Sequence, residues 1–153
     1  MPPILLCADG SEEALGALAA GLDLLGRGDG YVLVTVADAP DPDVLSGAGH
    51  PDAELGGAEF DLAVGTAHES ARQVVTEAEA RLGLHGLEVR VLGGEPAAAI
   101  CDLASELGAR AVVLGTRGRG GLSRAVLGSV SAYVVRHAPC TVVVTRSTPD
   151  QAP

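Results

Sequence analysis

The chain has 153 residues, 47% hydrophobic but only 2% aromatic, and a net charge of −10. With one Phe, two Tyr and no Trp, it lacks rings for stacking bases, and its acidity repels polyphosphate backbones, so nucleic acid is disfavoured as a partner. No run of about 18 apolar residues is present to span a membrane, and the length suits one domain with one core.

Met1-Pro2-Pro3 has no basic leader and runs straight into Ile4–Ala8, a short apolar run that reads as a first strand and not as a signal peptide. Asp9-Gly10 ends it. Ser11 is then a natural helix cap, with Glu12 and Glu13 favourably placed in the first turn of a helix reaching about Leu25. After a turn over Gly26–Gly30 comes a second buried strand, Tyr31–Val36. From Asp38 to Glu59 the composition shifts to Pro, Gly, Asp and Ala, as expected of a long mobile loop. A helix is expected from about Phe60 to Leu84, and a third strand over Leu87–Leu92. Pro96, after Gly93-Gly94-Glu95, suits the first turn of a helix that runs to Leu107 and stops at Gly108.

Ala111–Leu114 reads as a fourth strand, emptying into Gly115-Thr116-Arg117-Gly118-Arg119-Gly120-Gly121. A helix over Ala125–His137 follows, stopped by Pro139, and Thr141–Thr145 is a fifth strand ahead of a disordered tail over 147–153. Strands and helices thus alternate, which predicts a mostly parallel sheet covered by helices on both faces, all in one domain over 1–153. Cys7, Cys101 and Cys140 show no CxxC spacing and lie in apolar stretches, so reduced core thiols in a reducing cytoplasm are expected.

The chemistry concentrates after the fourth strand. Gly115, Gly118 and Gly128-Ser129 form G-x2-G-x9-G-S. Glycines directly after a strand let backbone N–H groups turn toward a phosphate, and the start of the next helix adds the positive end of its dipole. Ser129 and Ser131 are hydroxyl donors at that start. Leu107–Pro149 contains no Asp or Glu, although the chain has twenty, and it carries six of the ten arginines. An anionic ligand is least repelled there. Arg117, Arg119 and Arg124 read either as phosphate clamps or as solvated loop residues. Asp9, the acid at a strand end nearest the loop, reads as a ribose, base or indirect Mg²⁺ contact, or as the start of a turn.

Other chemistries fit less well. There is no Lys at all, which excludes a Walker-type loop. Asp9-Gly10-Ser11 does not supply a dinucleotide fingerprint. Gly121-Leu122-Ser123-Arg124-Ala125 is like a nucleophile elbow with its last glycine changed, but Ser123 follows the glycine loop and not a strand. His50, His68, His85 and His137 are dispersed, and His137 reads as a helix C-terminal residue near the dipole's negative end.

The segment Gly115 to Ser131, with Arg136-His137-Ala138-Pro139-Cys140 and the strand after it, closely resembles the universal stress protein family. Ala8–Glu12, Leu33–Val36 and Gly94–Ala97 resemble that family's earlier elements in the right order, although Thr35 stands where histidine is frequent and Cys7 and Ala8 where valine is usual. The resemblance implies a Rossmann-like open sheet in the order 3-2-1-4-5 and membership of an ATP-binding branch marked by the glycine pattern. It implies Gly115, Gly118, Gly128 and Ser129 at the phosphates and ribose, and Asp9 and the Val36 backbone at the adenosine end. Arg117, Val130 and Ser131 complete the expected ATP-binding set, with Mg²⁺ accompanying the nucleotide. A homodimer is implied too, and Thr141–Thr145 is a branched strand able to pair with its twofold mate. The expected role is regulatory ATP binding with at most slow hydrolysis, acting on a protein partner in the stress response. The alternative is a ligand-free dimeric scaffold.

Overall fold

The computed structural model describes residues 1–28, 30–38, 57–117 and 127–147. In chain order it contains β1 (Ile4–Cys7), α1 (Glu12–Leu25), β2 (Tyr31–Val36), α2 (Gly57–Leu82), β3 (Glu88–Leu92), α3 (Pro96–Glu106), β4 (Ala111–Gly115), α4 (Ser129–His137) and β5 (Thr141–Thr145). The strands form one parallel sheet in the order β3-β2-β1-β4-β5, as expected. β1 is central, pairing Leu6 with Leu33 of β2 and with Val113 of β4.

The continuous apolar runs of β1, β2 and β4 follow from burial on both faces. Successive side chains alternate between the faces. Ile4, Leu6, Leu33 and Val113 pack on Leu15, Leu18 and Leu22 of α1 and on Val75, Ala78 and Leu82 of α2. Leu5, Val32, Val34, Val112 and Leu114 pack on Ala97, Ile100 and Leu103 of α3 and on Val134 of α4. α1 lies very close to β4: a methyl added at Gly21 falls 2.6 Å from Val113 Cγ1. Across the outer surface, Arg81 of α2 grips Glu12 of α1 through both carboxylate oxygens, at 2.6 and 2.8 Å.

The larger departures from the sequence reading lie at both ends of α2 and at the start of α4; the other boundaries agree to within a residue. α2 begins at Gly57, three residues before Phe60, within the stretch expected to be loop; residues 39–56 of that stretch lie outside the described residues. Its C-terminus falls at Leu82 because Gly83 adopts φ +65° and Leu84 donates back to the Glu79 carbonyl, a left-handed stop. α4 begins at Ser129, not Ala125, because Gly128 is extended (φ −62°, ψ 160°). At the C-terminal end, Ser147 packs on Gly16 of α1, while 148–153 lie outside the described residues.

Candidate functional site

The strand order reverses direction at β1, and parallel sheets hold ligands beyond the carboxyl ends of their strands at such a point. A cleft of about 380 Å³ opens there. Cys7 to Asp9 line it from the end of β1, Val34 to Asp38 from β2, and Leu114, Gly115 and Arg117 from β4. Gly94, Pro96 and Ile100 close one side, and Gly128 to Ser131 another. Eight of the nine sequence-derived site residues therefore share one cavity: Asp9, Val36, Gly115, Arg117, Gly128, Ser129, Val130 and Ser131. The ninth, Gly118, lies outside the described residues, as do Arg119, Ser123, Arg124 and His50.

Three helices begin at the rim, and their starts differ. Before α1, Gly10 turns the chain at φ +83°, and Asp9 Oδ1 accepts from the Ser11 amide (2.9 Å) and hydroxyl (2.6 Å). Ser11 Oγ in turn accepts from the Ala14 amide at 3.1 Å, which caps the helix. Before α3, the Glu95 carboxylate accepts from the Ala98 amide at 2.8 Å, with Pro96 in the first turn. Before α4 there is only Gly128, with no side-chain cap, and α4's first turn contains no acid. Its leading N–H groups have no partner within the helix itself.

Two glycines keep this end of the cleft tight. A methyl on Gly128 would lie 3.2 Å from the Thr116 carbonyl oxygen, and one on Gly115 would lie 3.3 Å from Ala17 Cβ. The Gly128 amide donates to that Thr116 carbonyl at 2.7 Å. Ser131, expected as a phosphate donor, is 3% exposed, and its hydroxyl lies within reach of the carbonyls of Thr116 (3.1 Å) and Gly128 (3.0 Å). Its single proton is thus directed at the main chain. Ser129 is exposed at the rim.

At the opposite end, Val34's carbonyl accepts from Ala8 (2.9 Å) and Ala37's amide donates to Leu92 (2.8 Å). Backbone groups alternate sides along a strand, so Val36 directs both its N–H and its C=O toward β1's side, beyond the point where β1 has turned away. Cys7 at the floor is a neutral thiol: burial, with Cys101 and Cys140 nearby, pushes it up to about 12. Burial also raises Cys101 and Cys140, and all three cysteines are unpaired with one another. Among the described residues, no group of three or more His, Cys, Asp or Glu is arranged to hold a metal. His137 lies in the last turn of α4, stacked on Tyr133 with ring centroids 4.0 Å apart, away from the cleft lining.

Asp38, Gly94, Pro96 and Ile100 also line the cleft, although in the sequence Asp38 reads only as the start of the loop and Gly94-Glu95-Pro96 only as a helix start. Their signal was position at the carboxyl edge of the sheet, which becomes readable once the strand order is fixed.

The universal stress protein family model matches residues 1–146. A universal stress protein of Thermus aquaticus is 36% identical over 143 residues, covering 94% of this chain and 97% of the relative. The fold matches that of universal stress protein UspA from Lactobacillus plantarum, with a TM-score of 0.69 at 21% identity over 95% of this chain and 97% of that one. It also matches a universal stress protein family protein from Arabidopsis thaliana, solved with AMP bound, with a TM-score of 0.60 at 17% identity over 100% and 96% of the two chains. With the sheet order, the cleft and a family match running through β5 all in agreement, the chain belongs to the universal stress protein family.

Proposed function

We propose that the cleft binds an adenine nucleotide, ATP in the physiological setting, and that the protein is a regulatory nucleotide-binding domain of the stress response. The observation that carries this reading is the start of α4: an uncapped, acid-free helix N-terminus lining a cleft whose other two helix starts are capped. Such an end attracts phosphate through its backbone N–H groups and its dipole. Gly128 and Gly115 keep the backbone accessible, Ser129 adds a hydroxyl, and Arg117 adds positive charge to the same lining. The AMP held by the Arabidopsis relative is consistent with this chemistry.

Adenine is favoured at the other end. Side by side, the Val36 N–H and C=O match adenine's N1 acceptor and N6 amino donor, whereas guanine presents the reverse pair at that edge. Asp9 supplies carboxylate oxygen for the ribose. Mg²⁺, without a protein cage among the described residues, would be held mainly by the triphosphate and water, with Asp9 and Asp38 lining the same cleft. Neither His nor Lys occurs in the described lining, so binding is expected with at most slow hydrolysis. The setting is the cytoplasm, and the protein partner reads the nucleotide state.

Titration with a fluorescent ATP analogue and Mg²⁺ tests the reading. Saturable binding is expected, reversed by ATP and resisted at least roughly tenfold better against GTP. No saturable signal at millimolar nucleotide overturns it.

A second reading is supported by β5, whose only strand partner among the described residues is β4. That open edge, carrying half-buried Val142 to Val144, suits a homodimer made by strand pairing. Dimerisation accompanies nucleotide binding in the main reading and replaces it in the scaffold reading. Sedimentation equilibrium of the wild type and of a cleft variant separates them: a cleft variant that dimerises and restores stress survival as the wild type does favours the scaffold.

A further inference from the structure

We propose that Ser131 is a positioning residue of the cleft: its hydroxyl joins the end of β4 to the start of α4 and holds the helix N-terminus open without consuming its N–H donors. This rests on the nucleotide-binding reading for its consequence, but the clamp itself is independent of it. Ordinary caps close a helix start with an acceptor side chain that binds the second or third N–H. Ser11 and Glu95 do so in α1 and α3. Ser131 is the third residue of α4, and its side chain works in the opposite sense, donating to the carbonyls of Gly128 and Thr116.

The Thr116 main chain is thereby fixed through both its N–H and its C=O. Its N–H donates to the Thr145 carbonyl of β5 at 3.0 Å, and its carbonyl receives the Gly128 amide at 2.7 Å together with the Ser131 hydroxyl at 3.1 Å. Thr145 is itself held, its hydroxyl donating to the Ala17 carbonyl of α1 at 2.6 Å. The start of α4 is thus set relative to Gly115 by bonds to β4, and through it to β5 and α1. No buried side-chain N or O among the described residues lacks a partner, Ser131 included. As a direct ligand donor, Ser131 would have to surrender these carbonyls. As a clamp it keeps them.

Amide hydrogen exchange of the ligand-free chain, followed by NMR, tests the clamp alongside nucleotide titration. Ser131→Ala is expected to speed exchange of the Gly128 amide about fivefold relative to the amides of Leu6 and Val113, with a similar loss of nucleotide affinity. Ser131→Thr, which retains the hydroxyl, is expected to restore both. Gly128 exchange within about twofold of wild type in Ser131→Ala overturns the clamp, and so does acceleration spread evenly over the sheet. Faster Gly128 exchange with unchanged affinity overturns the positioning role. If the wild type binds no nucleotide, the nucleotide reading and the positioning role fail together, while Gly128 exchange still decides whether the clamp exists.

Discussion

The β1–α1 and β4–α4 junctions both leave neighbouring strands and both enter a helix at the edge of the cleft, yet they are built oppositely. The first is closed on itself: Asp9 binds Ser11, Ser11 caps Ala14, and Glu12 and Glu13 occupy the first turn. The second has glycine at the cap, no acid in the first turn, and a serine whose hydroxyl donates backward. A side-chain cap stabilises a helix by about 1 kcal/mol over alanine but only by a few tenths over the glycine present here, so the second junction forgoes little stability. On the proposed reading, that small loss leaves backbone donors available to a nucleotide. The difference between the junctions therefore separates a self-capped turn from one left open at its helix start.

Making the second junction like the first should have the largest effect. Gly128→Asp provides α4 with its own carboxylate cap and puts negative charge where phosphate is proposed to sit. Nucleotide affinity is expected to fall on the order of 100-fold by titration, while the far-ultraviolet circular dichroism of the sheet and helices persists. Ser129→Ala removes one hydroxyl at the rim and leaves the backbone donors, so a loss of about fivefold in affinity is expected.

Breaking the first junction should register in stability. Ser11→Ala removes the α1 cap and is expected to cost about 1 kcal/mol, lowering the thermal midpoint by about 3 °C in calorimetry. The smallest effect concerns Glu12, whose carboxyl is held below its usual 4.5 chiefly by the hydrogen bonds from Arg81. A lowered folded-state pKa adds stability above the usual carboxylate range, and that stability is lost as the pH falls through the depressed value. The midpoint gap between wild type and Glu12→Gln should therefore be small at neutral pH, since the pair is exposed, and should close on acidification or added salt.

Much of the fold could be read from the sequence because burial on both faces leaves a plain signature: Leu5-Leu6, Val32 to Val34 and Val112-Val113 form unbroken apolar runs, and all are fully or nearly fully buried. The start of α4 was less readable. Ala125 to Leu127 are as apolar as a helix face, and only the extended backbone of Gly128 establishes that the described helix begins at Ser129. Ser131 was harder still. Spacing places a hydroxyl one turn into a helix, but it does not say whether that hydroxyl faces the ligand or the chain behind it. The carbonyl it meets belongs to Thr116, fifteen residues away, and becomes its neighbour only when β4 and α4 are packed together.

The placement of the cleft on the middle strands has a kinetic consequence. Its floor is the carboxyl end of β1 and β4, at Cys7, Ala8, Leu114 and Gly115, directly continuous with the fully buried Leu5, Leu6, Val112 and Val113, so the floor cannot part without disrupting both core layers. On the proposed nucleotide-binding reading, a ligand would therefore arrive and depart over the rim, and its residence time would depend on how firmly Gly128 and its neighbours are held. Substitutions in the sheet centre should change how much folded protein exists, whereas those at the start of α4 should change how long each folded copy retains its passenger.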